Sequence, residues 1–393
     1  MKKIVTVSIM SATALMAMYG EHAYLYKDPR IMGMGGANVA VGSYSTSLFS
    51  NPAGLARIQK SEGFIVDLLG IQASGSNKGQ EFLSDLQDAI DSEEDAQVAG
   101  VLKEYSGDHF HLGVNNYTSV SKNSDAFAWS IGLLSGLDAN FMPHAQGSVN
   151  GGMLQTSTRV YGGLLLGAAK TYDTDMGRLD VGLGLKYISQ MSYEGVLGVS
   201  ELLEDGENDL ADTLQEKYEQ ESSGFGVDIG VNYSPFQESY WNPSIGLSVL
   251  NLGSMSMNSS YGQQPTTVNL GVSIAPELEF IDNFVLAADY TDLFNANKVR
   301  VYNFSDTDEV KYSDYKESDF IKRLRLGATA TLINTSYIST TLTAGLYQGA
   351  YTLGANLELT LFKLNFATYE EQVGTGDVAI ADRRYMVQLG IGW

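Results

Sequence analysis

The chain ends in "RRYMVQLGIGW", residues 383–393. Tyr385, Val387, Leu389, Ile391 and Trp393 are large and apolar, and Arg384, Met386, Gln388, Gly390 and Gly392 alternate with them. A period of two marks a β-strand with unlike faces. In a soluble sheet the apolar face packs on a core. In a transmembrane barrel it meets lipid, while the other face lines a lumen. The choice rests on how the pattern recurs upstream.

It recurs throughout. Leu179, Val181, Leu183, Leu185 and Tyr187 oppose Asp180, Gly182, Gly184 and Lys186. Phe225, Val227, Ile229, Val231 and Tyr233 oppose Gly226, Asp228, Gly230 and Asn232. Alternation bounded by turn residues predicts strands at 64–73, 108–117, 125–137, 156–172, 177–191, 223–233, 243–251, 267–274, 283–291, 320–332, 336–347, 350–358, 360–369 and 383–393. The count is even, and the runs have the ~9–11 residues that a tilted strand needs to cross a bilayer. Aromatics such as Tyr187, Phe225, Tyr233, Tyr385 and Trp393 stand at the ends of runs, where barrels carry girdles at headgroup height. The reading is an all-β, 14-stranded antiparallel transmembrane β-barrel.

Composition agrees. The chain has 42 Gly, 23 Tyr, 7 Pro and no Cys, with a net charge of -22. The acidic balance argues against a nucleic-acid partner. The lack of cysteine excludes disulfides, a lipidated N-terminus and zinc–thiolate or iron–sulfur cofactors. No cofactor motif is present: "GMGGAN" lacks phosphate-loop spacing, and "DSEED" and "EDGEND" lack EF-hand ligand order. Residues 1–20 read as a signal peptide, two lysines followed by an apolar stretch, with Ala17 and Gly20 as candidate cleavage points. Export leads to the bacterial outer membrane, since only helices and closed barrels span lipid and no later apolar run reaches ~20 residues.

The joins alternate in length. Segments 74–107, 138–155, 192–222, 252–266, 292–319 and 370–382 are long, the joins between them are short, and 348–349 is the exception. This predicts outer loops and tight periplasmic turns, with both chain ends on the periplasmic side and Trp393 at the inner girdle. Loops at about 80–105 and 200–220 carry helix-like apolar spacing among acidic residues. Amphipathic lids and solvated surface helices are both open readings for them.

Residues 21–60 do not read as wall. "GMGGANVAV" and "SLFSNPAGLA" are glycine-rich, and Asn51 with Pro52 marks a helix start. These two stretches resemble the N-terminal signature of the FadL family of outer-membrane fatty-acid and hydrocarbon transporters. "NLGSMSM" (251–257), "AADYTDLFN" (287–295) and residues 364–393 resemble its PorV-like and TraF-like relatives. The resemblance implies an N-terminal luminal plug at 21–60, with Gly33, Gly35, Gly36, Asn51, Pro52, Ala53 and Gly54 as plug residues, inside a barrel formed by 61–393. It implies passive uptake of a hydrophobic small-molecule ligand past the plug. The alternative is an interaction or assembly role with an envelope protein partner, as in secretion or conjugation. Outer-membrane lipid, lipopolysaccharide and the barrel assembly machinery are the other expected partners, the last reading the terminal aromatic.

A ligand carboxylate would need a cation in an apolar groove. Face assignment turns Arg159, Lys186, Arg323, Arg325, Lys363 and Arg384 inward, along with Asp180, Asp228, Asp289 and Glu358. Charge pairing within a filled lumen accounts for most of these. Arg323 and Arg325, two residues apart on one face, are the first ligand candidates, ahead of Arg159, Lys186 and Arg384. His109 and His111 form an inward H-x-H pair without a third metal ligand in view. No catalytic nucleophile–base pair is legible, so the chain reads as a non-enzyme.

Overall fold

The structure is a computed structural model that describes residues 18–19, 22, 24–148, 151–204, 220–236, 239–253, 255, 257, 261–304, 310–316, 319–335, 337–374 and 379–393. The signal-peptide reading falls almost wholly on residues 1–17, outside the described residues.

Fourteen antiparallel strands close into a barrel. They are β1 (Phe64–Ser76), β2 (Phe110–Asn123), β3 (Ala128–Ser148), β4 (Gly151–Thr174), β5 (Gly177–Gly198), β6 (Gln220–Ser234), β7 (Ser244–Leu252), β8 (Thr267–Ile274), β9 (Asn283–Tyr290), β10 (Leu324–Asn334), β11 (Ile338–Tyr347), β12 (Ala350–Leu359), β13 (Phe362–Val373) and β14 (Ile380–Gly392). Each strand pairs with its chain neighbours, and β14 pairs with β1 to complete the ring. The C-terminal residue seals that seam. The Trp393 N–H donates to Val66 O at 3.0 Å, and the Val66 N–H donates back to Trp393 O at 2.7 Å. Closure leaves the barrel sheet without an edge, which is what lipid requires of a spanning sheet.

The two faces are chemically opposite. Ile71, Val114, Leu133, Leu183, Ile229, Leu247, Val272, Leu342, Leu353 and Leu389 form an exposed apolar belt. Their strand neighbours Asp180, Lys186, Asp228, Asn232, Asp289, Arg384 and Gln388 are buried within. A soluble protein does not expose a continuous apolar band of this extent. The short-turn rim carries exposed Phe127, Met176, Phe236, Trp241, Phe280, Tyr337 and Trp393, an aromatic girdle at one interface.

One outer loop departs from expectation. Segment 138–155 is a hairpin, with β3 and β4 running on to Ser148 and Gly151 and β5 reaching Gly198. The alternation continues there but serves another purpose. Helices α2 (Gly79–Asp91) and α3 (Asp95–Glu104) rest on this raised wall, numbering the five-residue helix Pro29–Gly33 as α1. Phe82, Leu86, Ala89 and Ile90 recur at helical spacing and pack with Val98, Leu102, Phe110, Phe141, Leu154 and Leu197. Phe110, Phe141, Leu154 and Leu197 lie on the strand parity of the outward face, so the helices brace the outside of the wall. Burying each such leucine contributes about 1.5–3 kcal/mol. In the second helical loop, Val199–Glu204 forms α4, and 205–219 lies outside the described residues. The 291–323 join carries a further hairpin, Lys298–Phe304 with Val310–Lys316.

Candidate functional site between plug and wall

Residues 24–58, the segment expected to form a plug, pack against inward-facing side chains and glycines of the strands. Asp28 caps α1, accepting the Arg30 N–H at 2.9 Å, the Thr46 hydroxyl at 2.6 Å and the Arg30 guanidinium at 2.7 Å. Burial disfavours charge on Arg30, but the Asp28 carboxylate overrides it and holds the guanidinium protonated. After α1 the chain turns at Gly35, whose φ of +68 suits glycine. A Cβ there would stand 2.2 Å from Leu326 O, so the plug backbone lies directly on the wall. Thr352 fixes this contact by accepting from Gly35 N at 3.0 Å and donating to Gly33 O at 2.8 Å.

The Asn51–Pro52 signal marks a helix start as read, though the helix is 3-10, Pro52–Arg57. Asn51 accepts from Ala53 N at 3.0 Å and donates to Val39 O at 2.7 Å. Pro52, Ala53 and Gly54 are buried. The wall makes room with glycines: a Cβ on Gly182 would meet Ala53 N at 2.3 Å, and one on Gly230 would meet Asn51 Oδ1 at 1.9 Å. At the end of this helix the Arg57 guanidinium binds Asp180 at 3.2 Å, Ala40 O at 2.6 Å and Ser244 at 2.6 Å.

The plug's anchors share one row of cross-strand partners. Register runs Thr171–Asp180–Asn232–Gly246–Gly271–Asp289–Arg325–Tyr347 across β4 to β11, skipping no strand. Asp289 Oδ2 accepts the Asn38 and Val39 N–H groups at 2.6 and 2.7 Å. Sequence reasoning placed Asp289 inward but did not foresee its partner, because a link across 250 residues leaves no local signal.

On the long-loop side a cavity of about 190 Å³ lies between plug and wall. Leu25, Ile31, Met32, Val39, Phe49 and Leu250 supply apolar lining, and Lys186 and Arg325 are among its polar groups. The five cation candidates separate here. Arg159 is paired with Asp138 at 2.7 Å, Lys186 with Asp228 at 2.9 Å and Arg384 with Asp382 at 2.7 Å. Arg325 stacks over Tyr347 at 4.0 Å and binds only the Lys322 and Leu324 carbonyls, with no carboxylate at ion-pair distance among the described residues. Arg323 does not share its strand face. It ends the 3-10 turn Ile321–Arg323, donates to Asp292 O at 3.2 Å and lies over Tyr290. The alternation carries on into a turn, where face parity no longer holds. The two arginines still meet across a smaller space of about 70 Å³ beside Glu371. Lys363 pairs with Asp67 at 2.7 Å.

His109 and His111 are buried, the first against Asp382 at 3.1 Å and the second between Ser74 and Asn140. No set of three metal-ligating side chains occurs among the described residues. His22 sits edge-on to Tyr24. Burial lowers its pKa from about 6.5 to about 4, against the opposing pull of Glu371 and Asp292.

Residues 48–291, more than half of the chain, match the family profile described as "F plasmid transfer operon, TraF, protein". The chain belongs to this family. No curated protein sequence matches the TraF-family barrel. Among solved structures, it is similar to the deltaS2 mutant of the TodX monoaromatic hydrocarbon channel, at 11% identity over 93% of this chain and 97% of that one, TM-score 0.53. It is similar to the Ralstonia pickettii toluene transporter TbuX, at 14% identity over 93% and 98%, TM-score 0.51. The CymD monoaromatic hydrocarbon channel gives 13% identity over 95% and 98%, TM-score 0.50. At these identities the likeness is one of fold alone: the TraF-family barrel has the same overall architecture as these solved structures.

Proposed function

We propose that this TraF-family barrel is an outer-membrane channel for passive uptake of small hydrophobic molecules, taken up from the long-loop side into the cavity between plug and wall. The observation that carries this reading is the cavity's composition: apolar side chains from both the N-terminal segment and the wall, with Arg325 among the lining and no carboxylate at ion-pair distance from it among the described residues. Lys27 and Lys186 in the lining are paired with Glu371 and Asp228, which leaves the Arg325 guanidinium for an amphipathic acid, whose chain leaves water while its carboxylate meets the cation. The hydrocarbon channels of the same fold support the class of ligand without naming it. Residues Gly33, Gly35, Gly36, Asn51, Pro52, Ala53 and Gly54 act in this reading as the fixed seat of the plug.

The test compares uptake of labelled fatty acid and of toluene in a deletion strain and its parent. Reduced uptake of either supports the channel, and equal uptake of both sinks it. In purified protein, Arg325→Met should weaken fatty-acid binding about tenfold or more, the order of a lost charge-assisted bond, and leave toluene binding unchanged.

Family membership favours a second reading, a docking protein of the envelope. Crosslinking in intact cells decides between them: a stoichiometric protein partner with unaltered uptake supports docking.

A further inference from the structure

The cavity between the N-terminal segment and the wall does not end at Arg325. The smaller space of about 70 Å³ adjoins it, and Tyr24, Asp292, Asn297 and Arg325 line both. A single water needs only about 10–15 Å³, so a group of several atoms fits there. The character of this space is opposite to that of the larger one. Arg325 at the start of β10 and Arg323 in the turn before it both line it, with Lys322 beside them and Lys298 at its exposed edge.

The two acids in the lining are already engaged. Asp292 accepts the Ala296 and Asn297 N–H groups, one on each oxygen, at 2.7 and 2.8 Å. Glu371 accepts from Lys27 at 2.5 Å, from Gln348 at 2.7 Å and from the Tyr347 hydroxyl at 3.3 Å. Lys322 is buried and donates to Gly374 O at 3.1 Å. The arginines reach carbonyls only: Arg325 those of Lys322 and Leu324, Arg323 that of Asp292, with no carboxylate at ion-pair distance from either among the described residues. The Arg323 Nε is buried and has no hydrogen-bond partner among them. A buried guanidinium N–H left orphaned is costly, and it points to an acceptor that arrives from outside the chain.

We infer that this space is a head-group subsite for the phosphate of a phosphorylated amphiphile, whose hydrocarbon chain lies in the larger cavity. The inference deepens the channel reading and rests on it for the hydrocarbon chain, while the head subsite rests on the two arginines. A carboxylate has two oxygens in one plane, and one guanidinium fork satisfies both. A phosphate monoester carries nearly two charges and three terminal oxygens that point in different directions, so it takes a fork from each arginine. Arg325, common to both spaces, meets either kind of head. Arg323 is the residue that tells them apart.

The experiment measures equilibrium binding of octyl phosphate and of octanoate to the full-length protein in nanodiscs, with empty nanodiscs as background, at about pH 8, where the phosphate monoester is nearly dianionic. The parent should bind octyl phosphate about tenfold or more tighter than octanoate, the order of an added charge-assisted bond. A large excess of inorganic phosphate should not displace it. Arg323→Gln should remove the preference by weakening octyl phosphate alone, with octanoate binding unchanged, whereas damage to the fold would lower both. If that variant does not show heat-modifiable migration, Arg323→Lys, which keeps the charge and gives up the fork, is read in its place. Equal affinity of the parent for the two ligands, or a preference that survives loss of the fork, overturns the head subsite and leaves the channel reading standing. Displacement by inorganic phosphate would mark a site for the free anion and overturn the joint site for head and chain. Binding of neither ligand overturns the amphipathic-acid reading as well.

Discussion

Arg57 of the plug and Asp180 of the wall are joined at 3.2 Å at a position where Asp180 is fully buried. A second guanidinium, Arg178, reaches the other carboxylate oxygen at 2.8 Å, and the Thr171 hydroxyl donates at 2.7 Å. One carboxylate therefore ties the plug to two wall strands. A buried ion pair of this kind adds little net stability, but breaking it leaves a charge unmatched.

Arg57→Ala should therefore free the inner end of the plug and destabilise its docking by on the order of 3 kcal/mol. Limited proteolysis in detergent reads this directly: cleavage within residues 38–58 should appear in the variant while heat-modifiable migration persists. Unchanged protection would show that the contact is not an anchor.

A charge on the outward face should be costly in proportion to depth. Leu183 lies in the apolar belt, with half of its side chain exposed. Leu183→Arg should lower folding stability in bilayers by about 2–4 kcal/mol, measured by urea titration in liposomes. The same substitution on a face that met water would be nearly neutral.

Acid should loosen the segment around His22. The docked imidazole has its pKa lowered to about 4 by burial, and it faces Glu371, Asp292, Lys27 and Arg159. Undocked, it titrates near 6.5, so the released form binds the extra proton. The stability of docking is full above about pH 6.5 and is lost as pH falls from there through about 4. Hydrogen exchange at residues 24–27, corrected for intrinsic rates, should accelerate across that window, and His22→Gln should remove the dependence.

Much of this was legible in the sequence. All fourteen strands lie where alternation put them, because a closed barrel gives every spanning residue one of two environments and so writes a period of two along the chain. The ends of strands were less legible. Alternation in Asp138–Asn140 and Gln155–Ser157 continues above the belt, where the outward face meets α2 and α3 instead of lipid, so a raised hairpin read as a loop. Arg323 was assigned a face by parity in residues that form a turn. Asn51 and Pro52 were legible as a helix start, while Gly182 and Gly230, which they meet, read only as small luminal residues. Asp289 and Arg57 carry no local mark of their roles, since each acts through a contact that folding alone creates.

Contact of the outward faces with acyl chains can be read from tryptophan depth. The chain's three tryptophans, Trp129, Trp241 and Trp393, stand at the short-turn rim, two of them more than half exposed and Trp129 edge-on to Phe64. Their fluorescence in liposomes of brominated lipid measures depth. The account predicts strong quenching by bromine placed near the headgroup end of the chains and weak quenching by bromine at the chain termini. Emission indifferent to both lipids, from folded protein that stays monomeric in buffer without surfactant, would contradict it.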